Sequence, residues 1–285
     1  MTESEKQSGQ VPGSLSQVGT TMKYEFLNYL RSRRFYILLT IALAISLLLT
    51  AVIGHYRPAG FLSSSLSFFS GWWGLSATYV IILSGIFFGG DAISGEFQNK
   101  TGYYLLPNPI RRSSIYIGKW LAAFLASSII LGIFTLITIA NDLYYFGVNI
   151  PYQFGDSLLF SWFFLVSVLG FTFFFSSLFK SSSYSILVTA ILFLFAFSLV
   201  QALVADLVQV EPWFILTYGA GIIGNVLSTK YPQHIVTQVA VGQGGGRVSF
   251  TSYVATIPEG LAIMGAYFAV TAILGLVLFE RKEFN

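Results

Sequence analysis

Cysteine is absent from this 285-residue chain, which excludes a disulfide framework, a thiolate metal site and a thiol nucleophile. Charge is nearly as scarce. Only 9% of the residues are Asp, Glu, Lys or Arg, against about a quarter in an ordinary soluble domain. So few charges do not coat a globule, so lipid must stand where a polar surface would be. Histidine occurs twice, at His55 and His234, with no Gly-x-Ser-x-Gly elbow and no paired metal-ligand motif. A phosphate-binding loop needs glycine-rich backbone and a Lys followed by Ser or Thr. Gly118–Lys119 runs into Trp120, and the glycines at 244–246 have no Lys. The sequence therefore predicts no catalytic residue, no metal and no cofactor in this chain.

What the chain has in quantity is apolar sequence, 55% of the whole. Charge-free stretches run over 35–56, 58–90, 120–141, 157–179, 181–205 and 260–279. Each is as long as the roughly 20 residues that cross a ~30 Å hydrocarbon core. They are continuous rather than short and alternating, so helices rather than a barrel satisfy the backbone in lipid. The expected fold is an all-α polytopic membrane protein. Its six transmembrane helices fall at about 36–54, 71–90, 120–140, 158–179, 185–205 and 260–279.

Residues 1–20 are polar and rich in Ser, Gly and Gln, and read as a disordered tail before a transmembrane domain over 21–285. No cleaved leader is expected, because the first apolar run is long enough to span and lacks a small-x-small cleavage pattern. Met22, Phe26, Tyr29, Leu30 and Arg33 recur at helical spacing, with Glu25, Asn28 and Ser32 opposite. This predicts an amphipathic interfacial helix; a plain extension of the first span is the alternative. With the N-terminus inside, twelve Lys and Arg fall in inner segments and three (Arg57, Lys230, Arg247) in outer ones. The positive-inside bias puts both termini in the cytoplasm of a cell-membrane protein.

Two stretches are less regular. Residues 59–70 read as a partly buried lead-in to a second span starting near Gly71. Pro212–Thr229 is apolar enough for a seventh span, which would strand Arg281 and Lys282 on the wrong side. Its Pro212, Gly219, Gly221 and Gly224 suit a bent re-entrant or interfacial segment better. It belongs to the long outer segment 207–258, whose glycines near 244 read as a turn between strand-like runs. Asp91, Asp142, Asp156, Asp206 and Glu259 fall at span edges and read as solvated caps, which disfavours a proton-driven transporter.

The connection 91–119 is the most polar part of the membrane domain. Glu96 and Lys100 stand four apart in the favourable order on a helix. Asn108–Pro109 ends that helix, Arg111 and Arg112 fall at headgroup level, and Gly118–Lys119 opens the third span. The residues alone leave two readings open. One is a membrane-parallel helix offered to a partner; the other is an ordinary positive-inside loop. Ala42, Ser46 and Thr50 on the first span, and Gly85 and Gly89 on the second, form small-residue stripes that allow close helix packing.

At this connection the sequence resembles the permeases of the ABC-2 family of ATP-binding-cassette transporters. The shared pattern is Asp91, Glu96, Thr101–Gly102, Leu105–Leu106, Pro109 with Arg111, and Gly118–Lys119. Gly102–Tyr103–Tyr104 is similar to the corresponding loop of the eukaryotic G-subfamily half-transporters. The pattern covers about a tenth of the chain, and the polysaccharide exporters of the family lack its Glu-to-Thr spacing. The resemblance implies that Asp91, Glu96, Phe97, Lys100, Thr101, Gly102, Tyr103 and Tyr104 form a coupling helix against a cytoplasmic ATPase subunit. It implies that Pro109, Arg111, Arg112, Gly118 and Lys119 anchor this loop, with 180–184 a secondary contact. ATP and Mg would bind the partner ATPase, and a second permease copy or a related permease would complete the pathway.

Thr78, Tyr79, Ser84, Thr189, Ser198 and Gln201, on spans two and five, are the candidate pathway residues, and each also fits routine hydrogen bonding between helices. The expected activity is export of a drug, lipid or peptide. Maturation of an extracytoplasmic enzyme, or a non-transporting membrane anchor or sensor, are the alternatives. Because the chain has no cysteine, single introduced ones report topology directly. An impermeant maleimide should label Lys230→Cys on intact cells and Lys180→Cys only after permeabilisation; the reverse pattern, or equal labelling, contradicts the orientation.

Overall fold

A computed structural model describes residues 13–99, 111–241 and 246–282. Helix α1 (Ser14–Arg31) is followed by α2 (Arg33–Tyr56), with one residue between them. Ser32 is extended, and its hydroxyl donates to Tyr29 O at 2.7 Å while accepting from Phe35 N at 3.2 Å. One side chain thus closes the first helix and caps the second. The amphipathic segment is therefore a helix of its own and not an extension of the first span. It also begins at Ser14, inside the stretch expected to be a tail, because Gln17 is buried. Residues 1–12 lie outside the described residues.

Helix α3 (Ser65–Gly89) starts six residues before the expected Gly71. The cause is local: the Ser64 hydroxyl accepts from Ser67 N at 3.1 Å, an N-cap that counting apolar residues does not register. A turn leads to the short α4 (Ser94–Gln98). Then come α5 (Arg112–Phe146), α6 (Tyr152–Leu178) and α7 (Ser182–Val208), the last with wide turns at Leu192–Ala196 and Val204–Val208. Two small helices, α8 (Leu216–Ala220) and α9 (Ile222–Asn225), precede an antiparallel hairpin of β1 (Ile235–Val241) and β2 (Gly246–Ser252). Helix α10 (Ile257–Arg281) opens on a capping box of Thr256 and Glu259.

Six of these helices, α2, α3, α5, α6, α7 and α10, are long and apolar enough to cross a membrane. Helix α3 is central, with 67% of its most apolar stretch buried, and α7 is peripheral, with 11%. The core is aromatic. Phe69 stacks on Phe154 with ring centres 4.0 Å apart, and Trp73 stacks on Phe134 at 5.7 Å. The stripe of Gly85 and Gly89 faces α6: a Cβ at Gly85 would meet Val168 at 2.4 Å, and one at Gly89 would meet Thr172 at 2.1 Å. Small residues there set the distance between two spans.

The segment after Pro212 is the bent element its glycines suggested. Ile215, Leu216, Ile222 and Ile223 are buried, and the Ser157 hydroxyl donates to Ile223 O at 2.6 Å. Irregular backbone is thus enclosed by protein, as membrane depth requires. Asp142 is no solvated cap. It is fully buried, facing the start of α3 at Ser65, because α5 continues a further turn beyond the expected span end at 140.

Candidate functional site

Most of the described basic residues gather at one end of the bundle, where α1, α4 and the ends of the six long helices meet. Its centre is Lys119, about two turns into α5. The side chain is almost wholly buried, and its Nζ lies 2.5 Å from Glu25 Oε1 of α1 and 2.7 Å from Glu96 Oε1 of α4. A buried ammonium is tolerated only when paired and hydrogen-bonded. Here two carboxylates from elements far apart in sequence do so. The residue before it brings α1 close: a Cβ on Gly118 would lie 2.7 Å from Thr21 Cβ and 3.0 Å from Val18 O. Glycine at 118 and lysine at 119 therefore act together, the first admitting α1 and the second bonding it.

The same two elements are tied elsewhere. Gln17 Oε1 accepts from Arg111 N at 3.1 Å, which satisfies a backbone donor at the start of α5. Tyr29 Oη donates to Phe88 O, in the last turn of α3, at 2.8 Å. Burial, with Glu25 adding to it, holds the Tyr29 hydroxyl well above its ordinary pKa, so it stays a donor. Arg34, at the head of α2, pairs with Asp91 just past α3.

Helix α4 is held by α6, α7 and the residue that follows α10. Ser176 Oγ of α6 accepts from Ile93 N at 2.9 Å and from Ser94 N at 3.0 Å. Gln98 Oε1 accepts from Ser182 N, at the start of α7, at 2.6 Å. Lys282 Nζ lies 4.3 Å from the centre of the Phe97 ring and donates to Ser177 O and Phe179 O, at 2.8 and 2.7 Å. Burial, and secondarily the charge of Lys180, lowers the Lys282 ammonium to about 8. Arg112 Nη1 donates to Glu280 O and Lys282 O at 2.9 and 2.8 Å, closing the end of α10. Apart from the α1–α2 junction that Ser32 closes, the starts of α4 and α7 and the ends of α6 and α10 are thus bonded by residues from elsewhere in the chain.

The sequence-predicted residues divide accordingly. Asp91, Glu96, Phe97, Arg112, Gly118 and Lys119 converge here, and Arg111 is exposed beside them with its backbone bonded to α1. Lys100, Thr101, Gly102, Tyr103, Tyr104 and Pro109 lie outside the described residues. Lys119 points into the protein rather than to headgroups, and Arg112 spends hydrogen bonds on α10. Glu96, expected beside Lys100, reaches Lys119.

The six pathway candidates are divided between buried and exposed positions. Ser84 and Thr189 are buried and bond their own helices, at Val80 O and Ser185 O. Tyr79 and Ser198 are exposed, Thr78 is half-buried, and Gln201 lies 3.5 Å from Thr217. Sequence reading left Glu25 on a polar helix face, and had no signal for Ser176, Gln98 or Lys282.

Over residues 20–284 the chain matches the family described as ABC-2 family transporter protein, which is nearly its whole length. The chain belongs to the ABC-2 transporter family. No curated protein matches it closely enough to stand as a relative. Family membership makes it a multi-pass membrane permease of an ABC transporter, a component that associates with ATP-binding-cassette subunits. The ABC-2 domain opens within α1, so the match includes Glu25 along with all six membrane helices. Replacing Lys119 by Met leaves two carboxylates facing each other without a cation. It should destabilise the purified permease by about 3 kcal/mol in thermal or denaturant unfolding, with the singly weakened Glu25→Gln losing less; an unchanged Lys119→Met contradicts the assignment.

Proposed function

We propose that this permease couples ATP hydrolysis on separate cytoplasmic subunits to export of a hydrophobic or amphipathic substrate, a drug, lipid or peptide. The basic end and both termini face the cytoplasm of a cell membrane, in keeping with the twelve-to-three bias of Lys and Arg. ATP and Mg bind on the ATPase chains. Two permease copies, or this chain and a related one, pair around the pathway. Thr78, Tyr79, Ser84, Thr189, Ser198 and Gln201 remain its candidate residues.

One observation carries the coupling reading: α4 is bonded or packed to α5, α6, α7 and α10 at once. A push on α4 reaches those four spans through these direct contacts. Such a contiguous set of polar and ionic contacts is the physical basis for transmitting a partner's motion. Asp91 adds the first span through Arg34, and Glu25 adds α1 through Lys119.

The test needs a variant that blocks docking without loading the buried Lys119. Glu96 is unsuitable for that reason. Asn99 ends α4 and is exposed. Asn99→Trp adds bulk at the docking face and should leave insertion and thermal stability unchanged while abolishing substrate-stimulated ATP hydrolysis by the assembled complex. Full stimulation in Asn99→Trp contradicts docking at α4. Failure of any ATPase to copurify in mild detergent favours the anchor or sensor reading instead.

A further inference from the structure

At the end of the bundle opposite Lys119, the hairpin of β1 and β2 stands on two short roots, residues 231–234 before it and 253–255 after it. The second root is fixed at the start of α10. Ala255 is fully buried, the Tyr231 hydroxyl donates to its carbonyl at 2.5 Å, and the capping box of α10 begins at the next residue. The hairpin is tied on two sides. Toward α7, the Tyr253 hydroxyl donates to Gln209 O, and β2 runs beside the last turn of α7. Toward α10, Val254 N donates to His234 Nδ1 at 3.2 Å.

The bond to His234 depends on a proton. A ring nitrogen accepts only while it carries no hydrogen, so with Nδ1 accepting, the proton of the neutral ring sits on Nε2. Nε2 faces the Glu211 carboxylate, just past α7, with 3.9 Å between nitrogen and Oε1. Protonation makes both ring nitrogens donors. Nδ1–H then meets Val254 N–H, donor against donor, while the imidazolium is drawn to Glu211. One proton thus weakens the α10 side and strengthens the α7 side. The His234 side chain is 45% exposed, so solvent protons reach it directly. Histidine is the side chain whose charge ordinarily changes between about pH 5 and 8. The other titratable groups around it are neutral or acidic. The Tyr253 ring lies 5.6 Å from the imidazole, Tyr218 of α8 donates to the same Glu211 oxygen, and Glu259 of α10 acts on Tyr218 through space.

We propose that His234 is a proton-operated latch that hands the hairpin from α10 to α7. With His234 neutral, the hairpin is bonded at Val254. With His234 charged, it turns on its roots toward Glu211. The latch is independent of what the permease transports, and of whether it transports at all.

The experiment spin-labels the full chain at two introduced cysteines, the sequence having none of its own, and reconstitutes it in lipid vesicles. Gly246→Cys, at the far end of β2 and about 20 Å from the roots, is paired with Ala262→Cys on α10 and, separately, with Leu207→Cys on α7. Both partner positions are exposed. Between about pH 8 and about pH 5 the distance to α10 should lengthen by several ångströms and the distance to α7 should shorten. His234→Asn keeps an acceptor that no proton blocks, and should hold the alkaline distances at both values. His234→Arg, a donor only, should show the acid distances at both. Glu211→Gln should still lengthen the distance to α10 while losing the shortening toward α7. Distances that do not move with pH when His234 is present overturn the proposal. So does a His234→Asn chain that moves as far, which would place the titrating group elsewhere.

Discussion

Lys119 is an ammonium removed from water and held by carboxylates on two elements that neither lipid nor propensity would otherwise keep in place. Helix α1 is mostly polar, and α4 is only five residues long; neither is stable alone. The desolvated cation bonds both, alongside the contacts of Gln17, Tyr29, Ser176 and Gln98 that also hold them. The constraint runs in each direction. Without Glu25 and Glu96 the lysine would be an uncompensated charge at the edge of the hydrocarbon. Without the lysine, two carboxylates would face each other across a few ångströms. Breaking such an arrangement costs far more than an exposed ion pair contributes.

Around that centre the helix ends are closed by exchange. Arg112 of α5 caps α10, Lys282 beyond α10 caps α6, Ser176 of α6 accepts from the amides that open α4, and Gln98 of α4 accepts from the amide that opens α7. Membrane-spanning helices leave orphan carbonyls and amides at their ends, which water or headgroups usually satisfy. Here side chains of neighbouring helices do so. The end of the bundle that meets the ATPase in the proposed mechanism is therefore its most interconnected part.

The spans were legible because the physical demand behind them is simple: a run without charge, long enough to cross. Their edges were less so. Ser64 moves the start of α3 to Ser65 through one hydrogen bond, and Asp142 is buried because α5 outruns its apolar stretch. The polar residues from Ser14 to Thr20 looked like a tail, since nothing local says that α5 will lie against them. The Gly118–Lys119 pair was legible as a motif and illegible as a structure. Its partner Glu25 is 94 residues away, and a single sequence shows a lysine's charge without showing which carboxylates will surround it. Hydroxyls such as Ser84 and Thr189 bond their own helices at i−4, a use that sequence cannot distinguish from lining a passage.

The most direct measurement of the central claim is a charge exchange between α4 and α5. Glu96→Lys and Lys119→Glu each place like charges together, so each alone should lose folded protein and ATPase coupling. Combined, they restore one opposite pair while setting Glu25 against the new acid, so Glu25→Lys completes the exchange. The account predicts that the triple variant recovers unfolding temperature and substrate-stimulated ATP hydrolysis well above either single one. A triple variant no better than Lys119→Glu alone would contradict it.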